Sequence, residues 1–129
     1  MSEIELLLRK AERKLNAAKK LLKLDEYEDA VSRAYYCIFH AAKAALATEG
    51  SFPRTHEGTI REFGLKLIKE KKLHKEFGVI FSDARSLRET ADYTIISVIK
   101  LEDAKWAVEA AERFLEQIKE YIQKTNQNV

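Results

Sequence analysis

Between Ile4 and Leu22 the apolar residues Ile4, Leu8, Ala11, Leu15, Ala18 and Leu22 alternate spacings of four and three, and Leu7 widens the stripe. That pattern draws one narrow seam along an amphipathic helix. It returns near the C-terminus at Ala104, Val108, Ala111, Leu115, Ile118 and Ile122. Both helices carry a charged back, so they are expected to flank the core rather than fill it. Neither seam exceeds about three heptads, which favours packing within the chain over a free coiled coil.

A different pattern lies between them. Asp25 and Glu28 have the D-x-x-E spacing of a capping box, which predicts a helix starting at Asp25 and running to about Glu49. At 100° per residue, Tyr27, Ala30, Val31, Ala34, Cys37, Ile38, Ala41, Ala42, Ala45 and Leu46 cover more than half its circumference. Tyr35 and Phe39 extend that arc, so this is the expected central helix, and its alanines let neighbouring backbones come close. One polar strip is left over: Asp29, Arg33, Tyr36, His40 and Lys43.

Gly50-Ser51-Phe52-Pro53-Arg54 breaks the pattern, and Thr55 is the expected cap of a third helix that ends near Lys69 to Lys72. A fourth is expected from about His74 to Asp92, with Leu73, Phe77, Ile80, Phe81, Ala84, Leu87 and Ala91 facing inward. Arg88 falls inside this apolar arc, and Arg85 and Asp92 fall just outside it. The β-branched run Tyr93 to Ile99 reads as an extended connector with no second strand to pair with.

Composition narrows the class. The chain has 129 residues, one domain's worth, and its Gly and Pro together number five, far below the roughly 12% of average usage, which argues against an all-β fold. A single Cys37 and three histidines leave no CxxC or HxxxH spacing for a metal, and the lone thiol suits a reducing compartment. The longest uncharged apolar stretch, Ala34 to Ala42, is nine residues, too short to span a membrane. With no basic-then-apolar leader, a cytoplasmic location is expected. The net charge of +2, with signs interspersed, lacks the basic excess of a dedicated duplex-DNA binder.

Each candidate constellation has a plain structural reading beside a functional one. Arg88 and Asp92, four apart, form an ion pair in either case. Arg33 can pair with Asp29 while Tyr36 and His40 turn polar tips to water; alternatively Arg33, Tyr36 and His40 converge on a phosphate or a base. The stretch Arg61 to Glu76 holds six Lys/Arg against three acidic residues, a solvated helix face by default. No phosphate-cradling GxGxxG or GxxxxGK[ST] loop occurs, and no catalytic triad or carboxylate pair has diagnostic spacing. Cys37, on the apolar side of a core helix, is expected to be inert.

Three ordered blocks carry a family resemblance. Ser32-Arg33-Ala34-Tyr35-Tyr36-Cys37-Ile38-Phe39-His40-Ala41-Ala42-Lys43-Ala44-Ala45-Leu46, Arg54-Thr55-His56-Glu57-Gly58, and Leu87-Arg88-Glu89-Thr90-Ala91-Asp92-Tyr93 resemble the RAYYAxFHAARALL, KTHKG and LRxxADY blocks of HEPN domains (higher eukaryotes and prokaryotes nucleotide-binding). The match spans residues 26 to 94. The resemblance implies an all-α, compact up-and-down helical bundle of about five helices, a single domain over residues 1–129 that is commonly a homodimer with its cleft at the subunit interface. It also implies a minimal nucleotidyltransferase as partner, in a toxin–antitoxin-like pair, and no cofactor.

Ribonuclease members of that family carry R-x4-6-H on the penultimate helix, and here Tyr93 stands where an R-x4-H pattern from Arg88 would place histidine. Ile95 likewise stands where some toxins present a tyrosine for nucleotidylation. A phenol titrating near 10 is a poor general acid–base at neutral pH, so His40 and His56 are the alternative donors. The expected function is nucleotide or single-stranded RNA binding through Arg33, Tyr36, His40, Arg88, Asp92 and Tyr93, without a claim of catalysis. Two alternatives stand beside it: a metal-independent ribonuclease using Arg88 with His40 or His56, and a non-catalytic structural subunit.

Overall fold

The computed structural model describes residues 2–96 and 98–127. Among these residues the chain forms five α-helices and no strands: α1 (Glu3–Lys23), α2 (Tyr27–Thr48), α3 (His56–Phe63), α4 (Glu76–Tyr93) and α5 (Leu101–Gln127). A single π-helical turn, Gly64–Ile68, prolongs α3, with the Lys69 N–H reaching the Gly64 carbonyl at 2.8 Å. The result is the expected all-α bundle.

Helix ends are closed by backbone geometry more than by side chains. Asp25 takes a left-handed conformation, φ 60°, and the Asp25 and Glu26 N–H groups donate back to Leu22 and Leu21. This is a Schellman closure of α1, so Asp25 is not the N-cap of α2 and the expected capping box does not form. Glu26 holds the cap position without a side-chain bond, and the Asp25 carboxylate accepts instead from the Tyr27 hydroxyl at 3.3 Å. An aspartate tolerates the left-handed region better than most residues. Gly50, φ 74°, closes α2 with the same bond pattern, and Lys71, φ 59°, closes the segment after the π turn. Thr55 caps α3 as expected.

Helix α2 lies at the centre, packed by α1, α4 and α5. Ala30, Ala34, Ala41, Ala42, Ala44 and Ala45 are fully buried, and small side chains there bring the neighbouring backbones close. Helix α1 flanks the core as its seam predicts, burying only Ala11, Leu15 and Ala18. Helix α5 does more than flank. Phe114, outside its predicted seam, is fully buried and meets Phe63 and Phe81 with ring centres 5.4 and 6.0 Å apart. Ala107 and Ala110 also turn inward, widening the stripe.

The connector after α4 is extended at Thr94 and leaves most of its apolar side chains in water, while Ile99 at its end is buried in the core. Ile95, Ile96 and Val98 are all exposed; Ser97, part of the predicted Tyr93 to Ile99 connector, lies outside the described residues. No described helix is long and apolar enough to cross a membrane.

Candidate functional site

Tyr35 has no exposed surface, yet it carries a hydroxyl that burial obliges to find a partner. His56 supplies it, with Nδ1 2.8 Å from the phenolic oxygen. The start of α3 brings His56 there. Thr55 Oγ1 accepts the Gly58 N–H at 2.8 Å, and the Thr59 hydroxyl donates to the Thr55 carbonyl at 2.7 Å. A Cβ at Gly58 would stand 2.8 Å from Thr55 Oγ1, so glycine preserves the cap. His56 then stacks on Phe39, ring centres 4.3 Å apart.

The Tyr35 hydroxyl has no other acceptor among the described residues, so we assign its proton to the bond with Nδ1 and the ring hydrogen of neutral His56 to Nε2. Burial pushes the Tyr35 phenol up to about 12. Burial first, and then the charges of Arg88 and Arg85, hold the His56 imidazole below its usual value. Near pH 7 both rings are neutral and His56 presents a donor.

Arg88 covers the same aromatic cluster from α4. Its side chain is 11% exposed, and its guanidinium carbon lies 5.1 Å from the Tyr35 ring centre and 5.7 Å from that of Tyr36, within cation–π range. One terminal nitrogen donates to Asp92 at 3.2 Å. Nε is shut from water and donates to nothing. Arg85 repeats the arrangement one turn earlier: its Nε lies 3.0 Å from Glu89 but off the N–H direction, a charge contact that leaves the hydrogen unbonded.

The candidate residues therefore divide. Tyr36, Arg88 and Asp92 meet, and His56 joins them through Tyr35. His40 follows one turn along α2, its ring centre 6.2 Å from Tyr36. Arg33 stands apart: it is exposed, forms no ion pair with Asp29, and its charge bears on Lys14 of α1. The alternative of an Arg33–Asp29 pair is not realised among the described residues, and Arg33 does not join the other candidates. Tyr93 stands apart as well, 76% exposed at the end of α4. Tyr35 was the residue to find; the wheel placed it in the apolar arc, and only the His56 contact reveals its polar end. Among the described residues no three metal-ligating side chains cluster. Cys37 is buried, its thiol pushed up to about 12 by burial, in keeping with an inert core residue.

The chain is thus an all-α bundle that sets an arginine of its penultimate helix against a Tyr-Tyr pair on its central helix. The chain belongs to the HEPN domain family, whose model matches residues 4–121. It is 41% identical over 120 residues to the protein named Putative toxin MJ0605 of Methanocaldococcus jannaschii, covering 93% of this chain and 89% of that one. Two crystal structures share the fold. TT1696 from Thermus thermophilus superposes with a TM-score of 0.79 at 16% identity, over 94% of this chain and 99% of that one. ST0689, described as an archaeal HEPN homologue, gives 0.68 at 22% identity, over 95% and 99%.

Two expected outcomes follow from the cluster. Removing Asp92 leaves a largely buried guanidinium without its counter-charge, so Asp92→Ala should cost about 1–2 kcal/mol, discounted because Asp92 is itself a third exposed. Denaturant unfolding of Asp92→Ala, Arg88→Ala and the double variant should show coupling of at least about 1 kcal/mol; strict additivity would make the pair incidental. His40 gives the second. Burial, and then Lys10, Lys14 and Lys43, lower its imidazole to about 4. The unfolded chain takes up a proton below about 6.5 that the fold refuses until about 4, so stability falls as pH drops through that window. The loss should reach about 2–3 kcal/mol near pH 4.5. Unfolding midpoints against pH should flatten in His40→Gln, and an unchanged slope would contradict the assignment.

Proposed function

We propose that this chain is a toxin-like HEPN protein that binds a phosphate-bearing ligand, a nucleotide or single-stranded RNA, at the Arg88 cluster. The single observation that carries the reading is the Arg88 guanidinium, held over the Tyr35 and Tyr36 rings and bonded at one terminal nitrogen to Asp92. A guanidinium fork matches phosphate oxygens, and an ionised acceptor gives such donors their strongest hydrogen bonds. His56 Nε2–H is a further neutral donor, and Tyr36 offers a face for a base. The ligand would draw Arg88 partly away from Asp92. The relative named as a toxin supports the toxin-like part.

We read the chain as one domain working in the cytoplasm, as a homodimer, with a minimal nucleotidyltransferase as partner. The exposed connector residues Ile95, Ile96 and Val98, with Tyr93 beside them, support an interface, since a monomer gains nothing by keeping such a run in water. Sedimentation at micromolar concentration should give twice the 14.9 kDa chain mass; a concentration-independent monomer would remove the dimer from the reading. Copurification from the source cells, with the companion identified by mass spectrometry, tests the nucleotidyltransferase.

The alternative ribonuclease would use His56 rather than His40 as its base, because His56 is the histidine that joins the Arg88 cluster. Its Nε2–H tautomer is wrong for accepting a 2′-hydroxyl proton, which favours binding over cleavage. Purified protein should therefore bind AMP or oligoadenylate weakly, losing affinity as salt rises, with no turnover above a vector control. Arg88→Ala should weaken binding about tenfold or more. Cleavage abolished by His56→Ala would establish the ribonuclease. Absence of binding at low salt, with partner capture intact in Arg88→Ala and Tyr36→Ala, would leave the structural subunit.

A further inference from the structure

Between the π turn and α4 the chain folds back on the bundle and lines a recess of about 520 Å³. Its own backbone closes this turn. The Lys71 N–H donates to the Ile68 carbonyl at 2.9 Å, and the Lys72 and Leu73 N–H groups both reach the Leu67 carbonyl, at 2.9 and 3.0 Å. Lys71 takes its left-handed conformation to complete the reversal. Two contacts hold the turn against the helices. Lys72 donates to Glu49 at the end of α2, and the same carboxylate accepts the Tyr121 hydroxyl of α5. Gly78 lets α4 come close to Ile68, whose Cγ1 would stand 3.2 Å from a Cβ there.

The lining is of two kinds. Ile68 and Leu73 form the apolar part, and both pack against the core, with Leu73 only 5% exposed. Lys69, Lys71 and Lys75 form the charged part; all three are exposed, and none makes an ion pair among the described residues. No acid lines the recess. The charge of Glu70 bears on Lys72 and Tyr121, and Glu76 is taken by Arg113. His74 turns its Nδ1 to the α4 N-terminus, where it accepts the Glu76 N–H at 3.2 Å. The recess between α1 and α5 is different, since Lys19 and Lys119 there are answered by Glu112 and Glu12.

Three unanswered cations around an apolar floor suit a ligand that carries carboxylates and an apolar side chain together. A nucleic-acid strand is held on aromatic faces, and no Phe, Tyr or Trp lines this recess. A membrane surface takes up apolar groups that protrude into it, whereas Ile68 and Leu73 are withdrawn and receive a side chain instead. We propose that the recess at Lys69, Lys71 and Lys75 docks an acidic peptide segment of a partner protein, with one apolar side chain of the segment seated on Ile68 and Leu73. The lysine stems pack beside that side chain while their ammonium groups meet the carboxylates. The site shares no residue with the Arg88 cluster and is independent of the reading given to it.

The probe is a fluorescein-labelled octapeptide, Asp-Asp-Glu-Leu-Phe-Glu-Asp-Asp, followed by anisotropy with the full chain. It should bind at low salt and weaken as salt screens the pairs. Replacing its Leu-Phe by Ser-Ser keeps the charge and should cost at least fivefold, because the apolar contact is lost. The variant Lys69→Gln/Lys71→Gln/Lys75→Gln leaves the Lys72 bond to Glu49 in place, should melt as wild type does, and should lose at least threefold in affinity. Lys20→Gln/Lys23→Gln/Lys105→Gln removes the same charge elsewhere on the surface and should bind as wild type, as should Arg88→Ala. A smaller loss in the first variant, or an equal loss in the second, would overturn the site, as would a Ser-Ser peptide that binds like the parent. No binding of the octapeptide at low salt would overturn it too. Capture by phosphatidylglycerol vesicles or oligoadenylate through the same three lysines, without peptide binding, would replace it by a lipid or nucleic-acid surface.

Discussion

The burial of α2 is the constraint from which the rest follows. Six of its alanines have no exposed surface, so α1 and α5 approach it closely and little room remains for a polar group to escape. Polar groups on this helix must be satisfied where they stand or be left unsatisfied at a cost of about 1–3 kcal/mol each. Tyr35 is satisfied by His56, and that one hydrogen bond sets the α3 N-terminus against the central helix. His40 is not satisfied by any protein atom at Nδ1. The helix that holds the bundle together is thus also the one on which buried polar groups are satisfied or left without a partner.

Arg88 belongs to the same logic from the opposite side. A guanidinium among apolar neighbours is tolerated because two tyrosine faces and one carboxylate stand around it. The rings hold the cation in place, and Asp92 neutralises it without enclosing it. With Nε unbonded, the group is fixed in position and incompletely satisfied.

The sequence pattern was legible where periodicity governs and silent where long-range contact does. The seam of α1, the arc of α2 and the Thr55 cap follow from spacing, and Arg88 inside the apolar arc of α4 already demanded a partner. Asp25 misled because D-x-x-E is a local signal, while the chain used that residue's tolerance of positive φ to end the previous helix. Phe114 was missed for a related reason: a heptad reading draws a line, and α5 packs a broader surface against three other aromatic rings. Tyr35 could not be read as polar at all, since its partner lies 21 residues away. Arg33 shares a wheel strip with Tyr36, yet it is exposed and makes no ion pair among the described residues, its charge bearing on Lys14 of α1.

The net charge of +2 conceals how unevenly the charge is placed. Between α1 and α5 the cations are answered: Lys19 meets Glu112 at 2.6 Å, and Lys119 meets Glu12. Glu49 gathers both Lys72 and the Tyr121 hydroxyl, and Arg113 reaches Glu76 at 2.7 Å. Lys10 and Lys14 of α1 and Arg33 and Lys43 of α2 make no such bridge among the described residues. A nearly neutral chain can therefore be locally uneven in charge, and it is the local field that acts on an approaching ion. The local distribution, not the total, is what bears on any charged ligand.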